Sequence, residues 1–174
     1  MTSRAQRRDA LRVTAARLGL DAVLVTNLLN VRYLTGFTGS NGALLLRTDG
    51  ADLFGTDGRY TTQAAAQVPD VEVLVDRGTV PALARAAVRT GTGRLGFESH
   101  DLTVDGLEQL RSVLADAAAG GTVPELESVR RAVEAQRAIK DDDEIDALRR
   151  ACAVADQALA ELAAEGALDR KSVV

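Results

Sequence analysis

The only histidine of the chain, His100, lies in the segment Glu98-Ser99-His100-Asp101, directly after a short apolar run. Serine, histidine and aspartate are the side chains of a nucleophilic triad, in which a carboxylate orients a base that activates a hydroxyl group. Residues that are consecutive in sequence seldom face one another in that arrangement. A turn followed by a helix cap is therefore the stronger interpretation of this segment.

Metal-binding patterns are sparse. The chain has no His-Glu-x-x-His and no Cys-x-x-Cys spacing, and Cys152 is its single cysteine. The acidic run from Asp141 to Glu144 offers oxygen ligands, but neighbouring residues on a helix point in different directions and do not converge on one ion. Acidic residues at a helix start stabilise the helix dipole, which explains the run. We therefore expect no metal ion or other cofactor in this chain.

A Gly-x-Gly-x-x-Gly pattern, GTGRLG at residues 91–96, matches the form of a dinucleotide-binding loop. Such a loop must lead from a strand into a helix, whose N-terminus faces the pyrophosphate. Here the glycines follow a predicted helix and lead into a predicted strand. The context therefore argues against nucleotide binding.

Two turns have the residue types of a ligand site. The first, NVRYLTGFTGSNG at residues 30–42, combines aromatic and amide side chains with three glycines between two strand-like runs. The second, DGRY at residues 57–60, follows a strand and opens a helix, so that its arginine either points at a ligand or covers the edge of the sheet. Loops carry function more often than cores do. The candidate ligand contacts are Tyr33, Phe37, Asn41 and Arg59.

Composition excludes several classes of protein. The formal net charge is −4, and the arginines are scattered beside acidic residues without a basic stripe, which argues against nucleic-acid binding. No apolar run is long enough to span a bilayer, and no signal peptide is visible at the N-terminus. A single cysteine fits a reducing compartment. We expect a cytoplasmic protein.

The elements that must position these residues follow from periodicity and turn signals. Helices are predicted at residues 3–18, 58–67, 80–89, 103–119 and from about 141 to 165. Strands are predicted at residues 22–26, 43–47, 51–55, 71–75 and 94–98, and residues 125–129 form either a short strand or the entry to a helix. A strand and a hairpin followed by alternating helices and strands indicate an α/β fold, with a mixed β-sheet flanked by helices on both faces and a long C-terminal helix.

NVRYLTGFTGSNG and the segment DLFGTDGRYTTQAAAQVPDVEV at residues 52–73 resemble the N-terminal domain of the creatinase, Xaa-Pro aminopeptidase and prolidase family. Residues 129–159 are similar to the junction at which this domain meets the metallopeptidase domain. The resemblance covers residues 3–165. It implies a ribonuclease-H-like N-terminal domain at residues 1–139, and at residues 140–168 a linker with the first helix of a pita-bread metallopeptidase domain.

In this family the second domain holds two divalent metal ions, usually manganese, cobalt or zinc, which activate a water for hydrolysis of the bond before proline. No catalytic or metal-binding residue of that domain has a counterpart here, so the resemblance implies a chain that is inactive alone. It implies a supporting role in oligomerisation and in shaping the substrate site, with Tyr33, Phe37, Asn41 and Arg59 beside the substrate. The implied partners are a catalytic domain, further copies of the chain and proline-containing peptides.

Two interpretations of this chain differ in how they explain its C-terminal end. The last six residues, DRKSVV at 169–174, resemble the translation of a sequencing adapter, so we expect a non-native tail on a truncated reading frame. The other alternative is a standalone, non-enzymatic binding or dimerisation module with the same fold. Resequencing of the locus distinguishes the two, because only a truncated frame continues into strands that carry metal ligands.

Overall fold

The computed structural model describes residues 3–165. Residues 3–138 form one compact unit and residues 139–165 belong to a second. The helices are α1 Arg4–Arg17, α2 Leu28–Thr35, α3 Thr61–Gln67, α4 Thr79–Arg89, α5 Val104–Ala118, α6 Ala132–Ala138 and α7 Asp142–Ala164. The strands are β1 Ala22–Val25, β2 Gly42–Arg47, β3 Leu53–Thr56, β4 Glu72–Val75, β5 Arg94–Glu98 and β6 Glu125–Val129.

The six strands form one mixed sheet in the order β4-β3-β2-β1-β5-β6. Strand β2 is antiparallel to both of its neighbours, β1 and β3, whereas β3 with β4, β1 with β5 and β5 with β6 are parallel pairs. The predicted hairpin at the Asp-Gly turn is confirmed by the pairing of β2 with β3. Residues 125–129 are a strand, which resolves the alternative that the sequence leaves open.

The core lies on both faces of the sheet. All four residues of β1 are buried, and their side chains alternate between the faces: Val23 and Val25 pack with α1, α2 and α3, and Ala22 and Leu24 pack with α4 and α5. Helices therefore cover both faces, which confirms the predicted fold class. A strand buried on both faces must be apolar throughout, and this explains the continuous AVLV run of β1.

Half of the predicted loop at residues 30–42 is helical, so the interpretation of residues 30–35 as a loop was wrong. The side-chain oxygen of Asn27 caps α2 by accepting hydrogen bonds from the backbone N–H groups of Leu29 and Asn30 at 3.0 and 3.3 Å. Gly36 ends the helix with a left-handed φ of 82°. An asparagine at the N-cap and a glycine after the last turn are standard helix boundaries, and the glycines further along concealed them.

The second unit contains α7, and the acidic run lies at its start, as predicted. The Asp141 carboxylate accepts a hydrogen bond from the Glu144 N–H at 3.0 Å, and the Glu144 carboxylate accepts one from the Asp141 N–H at 3.1 Å. Cys152, which lies on this helix, is exposed. No helix within residues 3–165 is long and apolar enough to cross a membrane. The predicted tail at residues 169–174 lies outside the described residues.

Candidate functional site

Polar residues that flank three neighbouring strands lie together where these strands begin or end. Asn41 immediately precedes β2, and Asp57 immediately follows β3, because Gly42 and Thr56 are paired in the register of the hairpin. Strand β4 runs parallel to β3 and ends at Val75, opposite Thr56, so that Arg77 emerges at the same edge. The topology therefore brings together residues that are far apart in sequence.

Asp57 fixes the position of Arg59. Its Oδ1 accepts hydrogen bonds from the backbone N–H and from Nε of Arg59, at 2.9 and 3.0 Å, and its Oδ2 accepts one from Nη2 at 2.8 Å. Two parallel bonds between a guanidinium and a carboxylate fix orientation as well as charge. The Arg59 side chain is 71% exposed, so water screens the ion pair and the pair contributes little to stability. The main effect of this ion pair is to fix the orientation of an exposed guanidinium.

Asn41 completes this arrangement from the other strand. Its Nδ2 donates a hydrogen bond of 2.6 Å to Oδ2 of Asp57, and its backbone oxygen accepts one of 2.6 Å from Oγ1 of Thr56. Oγ1 of Thr79, at the start of α4, donates to Oδ1 of Asn41 at 3.3 Å. The amide therefore joins β2, β3 and α4, and its orientation is set by the hydroxyl on one side and the carboxylate on the other.

The charges in this arrangement are permanent at neutral pH. Hydrogen bonds from Arg59 and then from Asn41 favour the ionised carboxylate and outweigh burial, so they hold the pKa of Asp57 far below its usual range. Asp57 in turn raises the pKa of Arg59, first through the hydrogen bond and then through its charge. A general base must have a pKa near the working pH. Asp57 is therefore suited to binding and positioning, not to proton transfer.

These residues line an open pocket of about 540 Å³, bounded by Asn41, Asp57, Gly58, Arg59 and Arg77. Arg77 is exposed and makes no hydrogen bond or ion pair with any residue between 3 and 165. Two arginines and one aspartate line the pocket, so its lining carries a surplus positive charge. Guanidinium groups bind carboxylates and phosphates in preference to other groups. The pocket is suited to an anionic group of a ligand.

Phe37 lies in the core and not in the lining of the pocket. Its ring is 1% exposed and contacts the ring of Phe54 at a centroid distance of 4.8 Å and the edge of Tyr60 at 5.5 Å. The Tyr60 hydroxyl lies 2.7 Å from Oγ of Ser40. Phe37 thus supports the loop through Tyr60, whose neighbour in sequence is Arg59.

Tyr33 lies on α2, where Cζ of Arg7 is 4.2 Å from the centre of its ring. Its backbone oxygen accepts a hydrogen bond from Nη1 of Arg7 at 3.4 Å. Of the four candidate residues, the structure therefore brings Asn41 and Arg59 together and leaves Tyr33 and Phe37 outside the pocket lining. Asp57 and Arg77 are added, and only the parallel pairing of β3 with β4 reveals Arg77.

The segment around His100 does not form a triad. Ser99 accepts a hydrogen bond from the hydroxyl of Ser128 at 2.6 Å, and Asp101 accepts hydrogen bonds from the side chains of Thr26 and Asn27. His100 instead places Nε2 2.8 Å from Oε1 of Glu134 on α6. The three side chains face different partners, which confirms that consecutive residues here do not cooperate as nucleophile, base and orienting group.

Comparison with protein families gives a match for most of the chain. Residues 7–139 match the family described as the Creatinase/Prolidase N-terminal domain. The chain is 38% identical over 151 residues to an uncharacterised peptidase, YqhT, of Bacillus subtilis, over 86% of this chain and 40% of that protein. This chain therefore spans less than half the length of that relative.

Two solved structures are similar to the whole or most of the described fold. The N-terminal domain of the cytoplasmic peptidase PepQ from Mycobacterium tuberculosis H37Rv is 49% identical, with a TM-score of 0.70 over 74% of this chain and 96% of that chain. The Xaa-Pro dipeptidase from Bacillus anthracis is 29% identical, with a TM-score of 0.79 over 93% of this chain and 43% of that chain.

Proposed function

Because the chain belongs to the creatinase/prolidase N-terminal domain family, we propose that it is the non-catalytic N-terminal part of a proline-specific metallopeptidase, an Xaa-Pro aminopeptidase or Xaa-Pro dipeptidase. The observation that carries this proposal is the match over residues 7–139, which includes the segments at residues 30–42 and 52–73. In this account the metal ions and the reaction belong to a catalytic domain that follows. A cytoplasmic location is part of the proposal and is supported by the similar PepQ, which is described as cytoplasmic.

The Arg59 pocket gives this domain a role at the substrate site. Asn41, Asp57 and Arg59 are held by hydrogen bonds in a fixed arrangement, and Arg59 and Arg77 supply two guanidinium groups at an open surface. A short peptide carries a carboxylate at its C-terminus, which is the group that a guanidinium binds with two hydrogen bonds. In the assembled enzyme, Arg59 limits and orients peptides by this contact. Phe37 supports the loop through its contact with Tyr60, whereas Tyr33 packs against Arg7 on α1.

Oligomerisation is the second part of the proposed role. Among residues 3–165, strands β4 and β6 are the edges of the sheet, and each has a strand neighbour on one side only. Edge strands offer unpaired backbone groups to another chain. The position of β4 beside Arg77 places one edge next to the pocket, so an interface there would bring a second copy close to Arg59. Light scattering over a range of concentrations measures this association.

The experiment uses a chimera in which residues 1–165 replace the matching part of the Bacillus anthracis dipeptidase. We expect the chimera to hydrolyse an Xaa-Pro dipeptide with Mn²⁺, and the isolated 174-residue chain to give no turnover under the same conditions. Turnover by the isolated chain would contradict a non-catalytic role. Failure of the chimera to hydrolyse any proline peptide, although it folds and binds metal, would contradict the assignment to this enzyme class.

A further inference from the structure

A second polar cluster lies away from the Arg59 pocket, and we call it the His100 cluster. It consists of Glu98 at the end of β5, His100 in the following turn, Glu134 on α6 and Asn30 on α2. The side chains of Glu98, His100 and Glu134 each offer one ligand atom, and these three atoms lie within 4.8 Å of one another. The sequence offers no metal-binding spacing around His100, because its partner Glu134 is 34 residues away in the chain.

Hydrogen bonds hold the two carboxylates of this cluster in place. Nδ2 of Asn30 donates to Oε1 of Glu98 at 2.6 Å and to Oε1 of Glu134 at 2.7 Å. Oε2 of Glu98 accepts hydrogen bonds from the backbone N–H groups of Thr26 and Asn27 at 2.7 and 2.8 Å. Each carboxylate oxygen has two lone pairs, so these bonds orient the groups and leave acceptor capacity unused.

One carboxylate oxygen of the cluster has no hydrogen-bond partner within residues 3–165. Oε2 of Glu134 is buried and makes no hydrogen bond with any described residue. Buried polar atoms in proteins usually have a hydrogen-bond partner, so this oxygen has free acceptor capacity that an ion or a water can use. Glu98 is 3% exposed, whereas the side chains of His100 and Glu134 are 19% and 27% exposed. The cluster is therefore closed on the Glu98 side and reachable from solvent on the other.

The charges around the cluster also favour a cation. In the part of the chain that the structure describes, the carboxylates of Glu98, Asp101 and Glu134 share one hydrogen-bonded network with a single guanidinium. This is the guanidinium of Arg137, whose Nη1 donates to Oδ1 of Asn30 at 2.8 Å. The net charge of this network is therefore two negative charges when His100 is neutral. A divalent ion would neutralise them without removing the hydrogen bonds that Asn30 makes.

We propose that Glu98, His100 and Glu134 bind one divalent transition-metal ion, with Zn²⁺ as the ion that the donor set fits. An imidazole nitrogen with carboxylate oxygens is a ligand combination for zinc, whereas Mg²⁺ and Ca²⁺ take oxygen ligands alone. Ligands of a tetrahedral zinc ion are roughly 3.4 Å apart at bond lengths near 2.1 Å. The part-exposed side chains of His100 and Glu134 need to move by roughly 1 Å to reach that spacing.

The ion would act as a structural link. It joins β5 and its following turn to α6, the last helix of the first unit, and no reaction is assigned to it. Nε2 of His100 lies 2.8 Å from Oε1 of Glu134, and a bond from the metal ion to Nε2 would replace this hydrogen bond. Asn30 has the position of an outer-shell residue that orients the ligands.

The test uses the tag-free 174-residue chain with the substitution Cys152→Ser, so that the exposed thiol cannot bind the metal. After treatment with a chelator, ZnCl2 is added in a calorimetric titration and in an NMR titration of the His100 ring protons, which are unambiguous because the chain has one histidine. We expect one ion per chain, a shift of the ring signals and a higher unfolding temperature with zinc. MgCl2 should give none of these effects.

Variants distinguish zinc binding at this site from zinc binding at other acidic residues on the surface. Loss of an outer-shell partner lowers metal affinity about 10–100-fold, and loss of a ligand should cost at least as much, so His100→Ala and Glu134→Gln should weaken Zn²⁺ binding more than about tenfold. Glu108→Gln, at an exposed carboxylate on α5, is the matched control and should bind like the parent. No zinc binding by the parent, or equal binding by all variants that keep their circular dichroism spectrum, overturns the proposal.

Discussion

Asn41 and Asp57, at the ends of neighbouring strands, are joined by a hydrogen bond of 2.6 Å between Nδ2 and Oδ2. This bond links the loop that precedes β2 to the turn that follows β3, and the same carboxylate holds the guanidinium of Arg59. The backbone of the hairpin thereby determines where an exposed arginine lies. The loop and the DGRY turn, which are separate motifs in the sequence, are one structural site.

The loop depends on close contact between Gly39 and two aromatic rings. A Cβ atom on Gly39 would approach Cζ of Phe37 within the distance at which atoms overlap, and would lie 2.9 Å from Cδ1 of Tyr60. Because the Phe37 ring is fully buried, Gly39→Ala should lower the free energy of unfolding by about 1–3 kcal/mol, the usual cost of overpacking. Equilibrium unfolding in urea measures the change.

Gly58→Ala is the matched control, because a Cβ atom there meets nothing within 4 Å. Its free energy of unfolding should stay within about 0.5 kcal/mol of the parent, as for other surface substitutions. If both variants lose the same stability, the contact with the rings is not the reason for glycine at position 39.

Acid should weaken the link between α1 and the start of β4. Arg8 is 5% exposed and pairs with Asp52 and with Asp70, where Nη2 donates to Oδ2. Burial raises the pKa of the Asp70 carboxyl, but the hydrogen bond and the charge of Arg8 together outweigh it, so the pKa lies below its usual value. The stabilisation is therefore present above the pKa of an unfolded aspartate, near 3.9, and is lost as the pH falls through the folded pKa.

The substitution Asp70→Asn tests the direction of this pH dependence. At pH 6 the variant should be less stable than the parent, and the difference in urea midpoint should shrink between pH 4 and pH 2, because the parent loses its ion pair there. A difference that stays constant over this range would show that the ionised Asp70 does not contribute through Arg8.

The helix α7 should exchange its amide hydrogens faster than the sheet. None of its described residues is buried, whereas all four residues of β1 are. Helices take most of their stability from packing of an apolar face, and local opening is easiest where few apolar contacts form. Hydrogen exchange followed by mass spectrometry compares the two segments. Protection of α7 equal to that of β1 would indicate that this helix has an interface in solution.

Much of the sheet can be predicted from sequence, because its signals are local. The AVLV run of β1 and the Asp-Gly turn between β2 and β3 are such signals, and both are confirmed. Helix α2 was missed although Asn27 and Gly36 mark its ends, because the glycines that follow suggested one continuous loop. Its mistaken assignment also hid Asn30 as a residue of the His100 cluster.

The sites themselves depend on contacts between distant residues. Arg77 joins Arg59 only because β4 runs parallel to β3, and strand order is not encoded in any short motif. Glu134 meets His100 across 34 residues, on a helix that periodicity did not reveal. Residue types and spacing therefore indicated Asn41 and Arg59 as candidates, and the fold was needed to show that Asp57 is their common partner.

The most direct measurement is the KM of the chimeric dipeptidase for an Xaa-Pro dipeptide, with Arg59→Ala compared with Arg89→Ala. Arg89 is an exposed arginine on α4 outside the pocket lining and serves as the control. We predict that Arg59→Ala raises KM about tenfold with kcat nearly unchanged, which is the loss of a binding contact of about 1.4 kcal/mol, and that Arg89→Ala changes neither. An unchanged KM in the Arg59 variant, with unchanged assembly, would contradict the role of this pocket at the substrate site.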